Sequence, residues 1–303
     1  MEESISGGRK KQYARPTINS YMYGNAWALE QMANLAGDDA SAKLFCQKAD
    51  TIQNLINTKL WSTKLHFYET SRIDSLAGVR EAIGYMPWYV NMTIPDSCNV
   101  AWKQIDDEEG FSAPFGLTTA ERRHPKFRTH GEGKCEWDGA IWPFASAQTL
   151  TALANALNSS AKMPEGIGKQ TFFKQMKLYV ESQYRRGRPY IGEYLDEKTG
   201  RWLKDDQLRS FYYNHSTFND LVITGIVGLR PAEGTSFVVN PLITADALDY
   251  FCLDNVLYHG HIVTVIWDKD GSRYHQGKGL SVMIDGKKSA SSTSLNPLTC
   301  VIK

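Results

Sequence analysis

The chain's 303 residues are enough for one large domain or two ordinary ones. Lys and Arg total 34 against 33 for Asp and Glu, a formal charge of +1, which offers nothing to a polyanion and argues against nucleic acid as a partner. No apolar run approaches the roughly 20 residues a membrane span needs. The cysteines, Cys46, Cys98, Cys135, Cys252 and Cys300, form no CxxC pair, so neither a disulfide framework nor a zinc site is indicated, and most are expected as buried free thiols.

Residues 1–15 hold no apolar h-region, and Lys10-Lys11 reads as a solvated loop. Tyr21, Leu29, Met32 and Leu35 then give a helical stripe. Gly37-Asp38-Asp39 stops that helix and caps the next, which carries Leu44, Phe45, Ile52, Leu55 and Ile56 and ends near Leu60-Trp61. Residues 81–93 and 97–106 read as short helices on either side of Pro95. The loop 106–136 is long, and long loops between packed helices commonly carry function. Helices are predicted over 141–157, opening at Trp142-Pro143, over 172–184 and over 215–227.

After Gly228 the pattern turns strand-like. Strands are predicted over 237–239, 261–267, 280–284 and 298–302, with Asp270-Gly271 and Asp285-Gly286 as hairpin turns. The fold class is therefore mainly α over residues 1–228, followed by a small antiparallel β-domain over 229–303.

The aromatics (8 Trp, 15 Tyr and 12 Phe) suit a cleft that stacks on sugar rings and a large core equally. There is no GxSxG elbow, no HExxH and no P-loop. His259-Gly260-His261 sets two imidazoles on one strand face, but no carboxylate or cysteine at matching spacing joins them. They read as structural, so no metal is expected. What remains is carboxylates among aromatics. Glu193 lies within Tyr190-Ile191-Gly192-Glu193-Tyr194-Leu195-Asp196, where apolar neighbours suit acid/base work. Asp138 stands between Trp137 and Trp142, and either caps the following helix or holds a polar ligand between aromatic walls.

Six segments in order resemble the (α/α)6-barrel glycosidases of the trehalase and processing α-glucosidase clan, with the mannosylglycerate-hydrolase-like group most similar. They are Met1-Glu2-Glu3-Ser4, Ile18-Asn19-Ser20-Tyr21, Tyr85-Met86-Pro87-Trp88, Phe111 to Leu117, Trp137 to Pro143, and Glu193-Tyr194 with Thr199-Gly200. Residues 229–300 resemble the β-sandwich that often ends such enzymes. The resemblance implies a partial (α/α)6 helical toroid, N-terminally truncated, followed by a C-terminal antiparallel β-sandwich.

It also implies an inverting glycoside hydrolase with Glu193 as general base and Glu2 as general acid, where the clan usually has Asp. Trp88, Phe111, Trp137 and Trp142 are then the subsite wall, and Asp138, Asn19, Asn214 and His215 the hydrogen-bonding partners of the sugar hydroxyls. The substrate is an oligosaccharide or other glycoside, and no metal or organic cofactor is called for. Two rivals stand beside this reading: a non-catalytic helical toroid that binds carbohydrate or protein, and a glycoside phosphorylase. The base-like setting of Glu193 counts against the phosphorylase.

Overall fold

A computed structural model describes residues 4–7, 12–128, 137–159, 162–204, 206–213, 217–232 and 234–302. The chain divides into two compact units: Met1–Ile167 with Gln175–Ser216, and Gly168–Lys174 with Thr217–Lys303.

The first unit opens with a helical hairpin, α1 (Pro16–Ala36) and α2 (Asp39–Lys59). Pro16 sits at the start of α1, where its missing N–H costs nothing. Gly37 ends the helix in the left-handed conformation, and the Asp38 carboxylate accepts from the Ser41 N–H at 3.0 Å to cap α2. Both boundaries lie where the sequence predicts them. Beyond α2 the backbone turns irregular. A 3-10 turn (Ala82–Tyr85) runs into the single-turn α3 (Met86–Tyr89), and Asp96–Ile105 is 3-10 rather than α-helical.

These short elements carry a dense aromatic core. Tyr85 stacks on Trp102 at 4.3 Å, Phe67, Trp88 and Phe111 close around the pair edge-on, and Tyr68 meets Trp88 edge-on. α4 (Pro143–Asn158) crosses the unit and is buried along most of its length. It starts two residues later than predicted, because Ile141 is held in a β-bridge to Leu195. α5 (Lys169–Ser182) begins three residues earlier than predicted.

In the second unit, α6 (Phe218–Leu221) leads into a π-helical turn (Val222–Val227), where one α-helix is predicted. Then come β1 (Leu229–Pro231), β2 (Ser236–Val239), β3 (Tyr250–Tyr258), β4 (His261–Asp268), β5 (Gly279–Ile284), β6 (Lys287–Ser292) and β7 (Leu298–Val301). They form two antiparallel sheets, one in the order β7-β2-β1 and the other β3-β4-β5-β6.

Asp285-Gly286 makes the expected tight turn between β5 and β6, both residues having positive φ. Asp270-Gly271 does not. It lies in a longer connection gathered by the buried Asp268 carboxylate, which accepts from the N–H groups of Gly271, Arg273 and Tyr274. The two imidazoles do not share a strand face either. His259 is in the β3–β4 turn at φ 49°, while His261 begins β4 and bonds Asp285 at 2.7 Å. Cys98 and Cys300 are buried free thiols, Cys46 is half-buried and Cys252 is exposed. No helix among the described residues is long and apolar enough to cross a membrane.

Candidate active site

The segment from Trp137 to Pro143 has almost no regular structure of its own, so its backbone groups are satisfied by neighbours. The Arg128 N–H donates to the Asp138 carbonyl at 3.0 Å. Thr119 Oγ1 accepts from the Gly139 N–H and donates to the Ala140 carbonyl, both at 3.1 Å. Gly139 is the residue this path demands, since a Cβ there would lie 2.1 Å from the Arg128 carbonyl oxygen. At Ile141 the segment exchanges two backbone bonds with Leu195, at 3.0 and 2.9 Å. That bridge joins the Asp138 segment to the Glu193 segment.

Glu193 enters a short hairpin in which Tyr194-Leu195 pairs with Trp202-Leu203. The turn between them is tied by the Asp196 carboxylate, which accepts from Lys198 N–H, Thr199 N–H and the Thr199 hydroxyl at 2.8–2.9 Å. Gly192 allows the Trp202 ring to press on the backbone, where a Cβ would fall 2.3 Å from the ring. Glu193 is 3% exposed. Its Oε2 accepts a hydrogen bond from the Ser210 hydroxyl at 2.7 Å.

The aromatics around the bridge form a ladder. Trp137 stacks on Trp142 at 4.6 Å, and Trp142 on Tyr194 at 4.6 Å. The Lys204 ammonium sits over Tyr194, 5.0 Å from the ring centre. Trp142 thus stacks on two protein rings and is buried. Asp138 does not cap α4; its Oδ2 accepts from the Arg128 guanidinium. Its other oxygen, Oδ1, is buried with no hydrogen-bond partner among the described residues.

The other expected site residues scatter. Trp88 lies near the far end of α4, where Asn155 donates to its carbonyl at 3.1 Å. Thirteen residues of helix, about 20 Å, separate Asn155 from Trp142. Phe111 packs with Trp88's cluster against Phe67 and Tyr85. Asn19 donates to the carbonyl of Arg15, the residue just before its helix, at 2.8 Å. Glu2, Asn214 and His215 lie outside the described residues.

Among the buried acids that the sequence reading did not single out, Glu81 has its proton affinity visibly shifted. Glu81 is 4% exposed, and its Oε1 accepts from the Ser6 N–H at 3.1 Å. Around it, Thr70 donates to the Ser6 hydroxyl, and Arg15 donates to the Ser4 hydroxyl and the Gly7 carbonyl. Burial pushes the Glu81 carboxyl above its ordinary value, against the pull of the Ser6 hydrogen bonds and Arg15. The available signal was its place just before the Ala82 to Trp88 segment. Among the described residues, no three His, Cys, Asp or Glu side chains are grouped to hold a metal.

Comparison with known proteins adds three findings. The family profile of the mannosylglycerate hydrolase MGH1-like glycoside hydrolase domain matches residues 2–216, and that of the glycosyl hydrolase family 65 C-terminal domain matches residues 229–290. A solved structure named sialidase is 62% identical over 99% of this chain, with a TM-score of 0.94, and the match covers 28% of that protein. Two Thermus thermophilus structures match 62% of this chain. An uncharacterized conserved protein is 15% identical with a TM-score of 0.50 and 44% of it covered. A GH63 mannosylglycerate hydrolase in complex with glucose is 16% identical with a TM-score of 0.49 and 43% of it covered. This chain thus spans less than half the length of each.

Proposed function

This chain belongs to the mannosylglycerate hydrolase MGH1-like glycoside hydrolase family, and we propose that its helical part is the base-bearing portion of an inverting glycosidase. In this reading the helices are part of an (α/α)6 toroid, and the C-terminal sheets are its β-sandwich companion. The observation that carries the reading is Glu193: a buried carboxylate with a single hydroxyl partner among the described residues, in a segment bridged to the Trp137–Pro143 turn.

Glu193 takes a proton from water as that oxygen bonds the anomeric carbon. The bond to the leaving oxygen breaks, and Glu2 supplies the proton that oxygen needs. Inversion sets the two carboxyls about 6.5–9.5 Å apart, with the water between them. Asp138 Oδ1, which has no donor among the described residues, is an acceptor for a sugar hydroxyl, since a buried carboxylate oxygen without a donor is rare unless a ligand supplies one.

The test is turnover of aryl glycosides of mannose, glucose and sialic acid, sugars suggested by the names of the similar proteins. Glu193→Gln should lower turnover of the hydrolysed member by about 10² or more and leave binding nearly intact, because the amide keeps the shape but cannot accept the proton. A Glu193→Gln variant with wild-type turnover would overturn the base assignment. A second reading is a non-catalytic carbohydrate-binding toroid. It predicts saturable sugar binding with no hydrolysis.

A further inference from the structure

We propose that Ser210 is the positioning residue for Glu193, an inference that rests on Glu193 as the base. Ser210 is 1% exposed, and its hydroxyl donates to Glu193 Oε2 at 2.7 Å. It is the only hydrogen-bond partner of Glu193 among the described residues. A serine hydroxyl has one proton to give, so this bond commits it. The bond fixes one carboxylate oxygen and with it the roll of the carboxylate about its last torsion, which is otherwise soft. Oε1 is thereby left as the oxygen that meets water.

The segment carrying Ser210 is itself held to the Glu193 strand. Ser210 closes a 3-10 turn over Leu208–Ser210, with its N–H bonded to the Gln207 carbonyl at 2.9 Å. The Tyr213 N–H donates to the Ile191 carbonyl at 3.2 Å, two residues before Glu193. Phe211 and Tyr212 pack on Tyr190, with ring centres 6.2 and 5.8 Å away. The Arg185 guanidinium covers both Tyr190 and Phe211. The donor is therefore set by backbone and ring packing on both sides of it. A hydroxyl that only quenched a buried carboxylate would not need that anchoring.

The experiment compares Ser210→Ala, Ser210→Thr and Glu193→Gln in the full chain. It uses whichever aryl glycoside of mannose, glucose or sialic acid the chain hydrolyses, together with crystal structures of the two Ser210 variants. Ser210→Ala should lower kcat on the order of 10- to 100-fold with KM within about twofold, because a misplaced base loses rate and not ground-state binding. Ser210→Thr, which keeps the hydroxyl, should recover most of that loss. In the crystal, the Glu193 carboxylate should leave its place in Ser210→Ala and return to it in Ser210→Thr, a readout that needs no turnover. Wild-type kcat for Ser210→Ala while Glu193→Gln is impaired would overturn this inference and leave the base reading intact. An unmoved Glu193 carboxylate in Ser210→Ala would overturn it too. Wild-type turnover for Glu193→Gln would instead remove the base reading on which it rests.

Discussion

The α1–α2 hairpin and the short elements that follow it belong to one unit, yet they place their apolar side chains in opposite ways. α1 and α2 are the longest regular helices described, 21 residues each. Ile18, Met22, Leu29, Met32 and Leu35 of α1 are nonetheless exposed, Leu35 at 91%, as are Leu44 and Leu55 of α2. Met22, Leu29, Leu44, Phe45 and Ile52 line an open groove of about 380 Å³ on the hairpin. The region from Phe67 to Phe111 has hardly a full turn of α-helix, yet Phe67, Tyr68, Tyr85, Trp102 and Phe111 are almost wholly removed from water. Helical regularity and burial are separate properties here. The first follows from local periodicity, the second from which rings meet across the unit.

The largest expected effect lies in the irregular half. Trp102→Ala removes a fully buried ring stacked on Tyr85, and urea unfolding should show a loss of about 3–5 kcal/mol. Trp102→Phe should cost much less, because the indole N–H it removes has no hydrogen-bond partner among the described residues. A small loss for Trp102→Ala would break the comparison.

Gly139→Ala comes next. Its Cβ must displace the Arg128 carbonyl, and overpacking of this kind costs about 1–3 kcal/mol. The same displacement should disturb the pairing of Asp138 with Arg128, visible as loss of glycoside turnover or sugar binding along with stability.

Glu81→Gln sharpens the contrast through pH. Burial raises the folded-state value of Glu81 above the ordinary 4.5. The folded chain therefore holds this proton where the unfolded chain has released it. Its favourable contribution is complete below the ordinary value and declines as pH rises through the raised one. Wild-type stability, measured by thermal unfolding, should fall relative to Glu81→Gln as pH increases upward from 4.5. A difference independent of pH would contradict the raised proton affinity of the buried Glu81.

The smallest effect belongs to the hairpin. Leu35→Gln and Met32→Gln change exposed side chains and should move stability by no more than about 0.5 kcal/mol.

The hairpin was also the most legible part of the sequence. Gly37 and Asp38 act through their own backbone and neighbouring N–H groups, so their roles can be read locally. The Asp285-Gly286 turn is legible for the same reason. β3 was missed because a bulge between Leu253 and Val256, with Asn255 at φ 58°, breaks its alternation. Asp270-Gly271 misled because a buried carboxylate on β4 gathers the loop instead.

In the candidate site, Glu193 and Asp138 stood out by their aromatic neighbours, and the Ile141–Leu195 bridge joins their segments. Ser210 did not stand out. Its importance is a side-chain bond across 17 residues from a turn with no periodicity. Trp88 and Phe111 looked like members of the same wall as Trp142. Composition does not say which aromatic cluster a ring joins, and they pack in another one.

As the proposed base of an inverting glycosidase, Glu193 delivers water to the face of the sugar opposite the leaving group. Proton NMR of the first sugar released from an aryl glycoside, recorded before mutarotation, tests it most directly. The account predicts a product of inverted anomeric configuration, with its appearance suppressed about 10²-fold or more in Glu193→Gln. A product of retained configuration would contradict it, because retention requires a nucleophile to bond the anomeric carbon before water does.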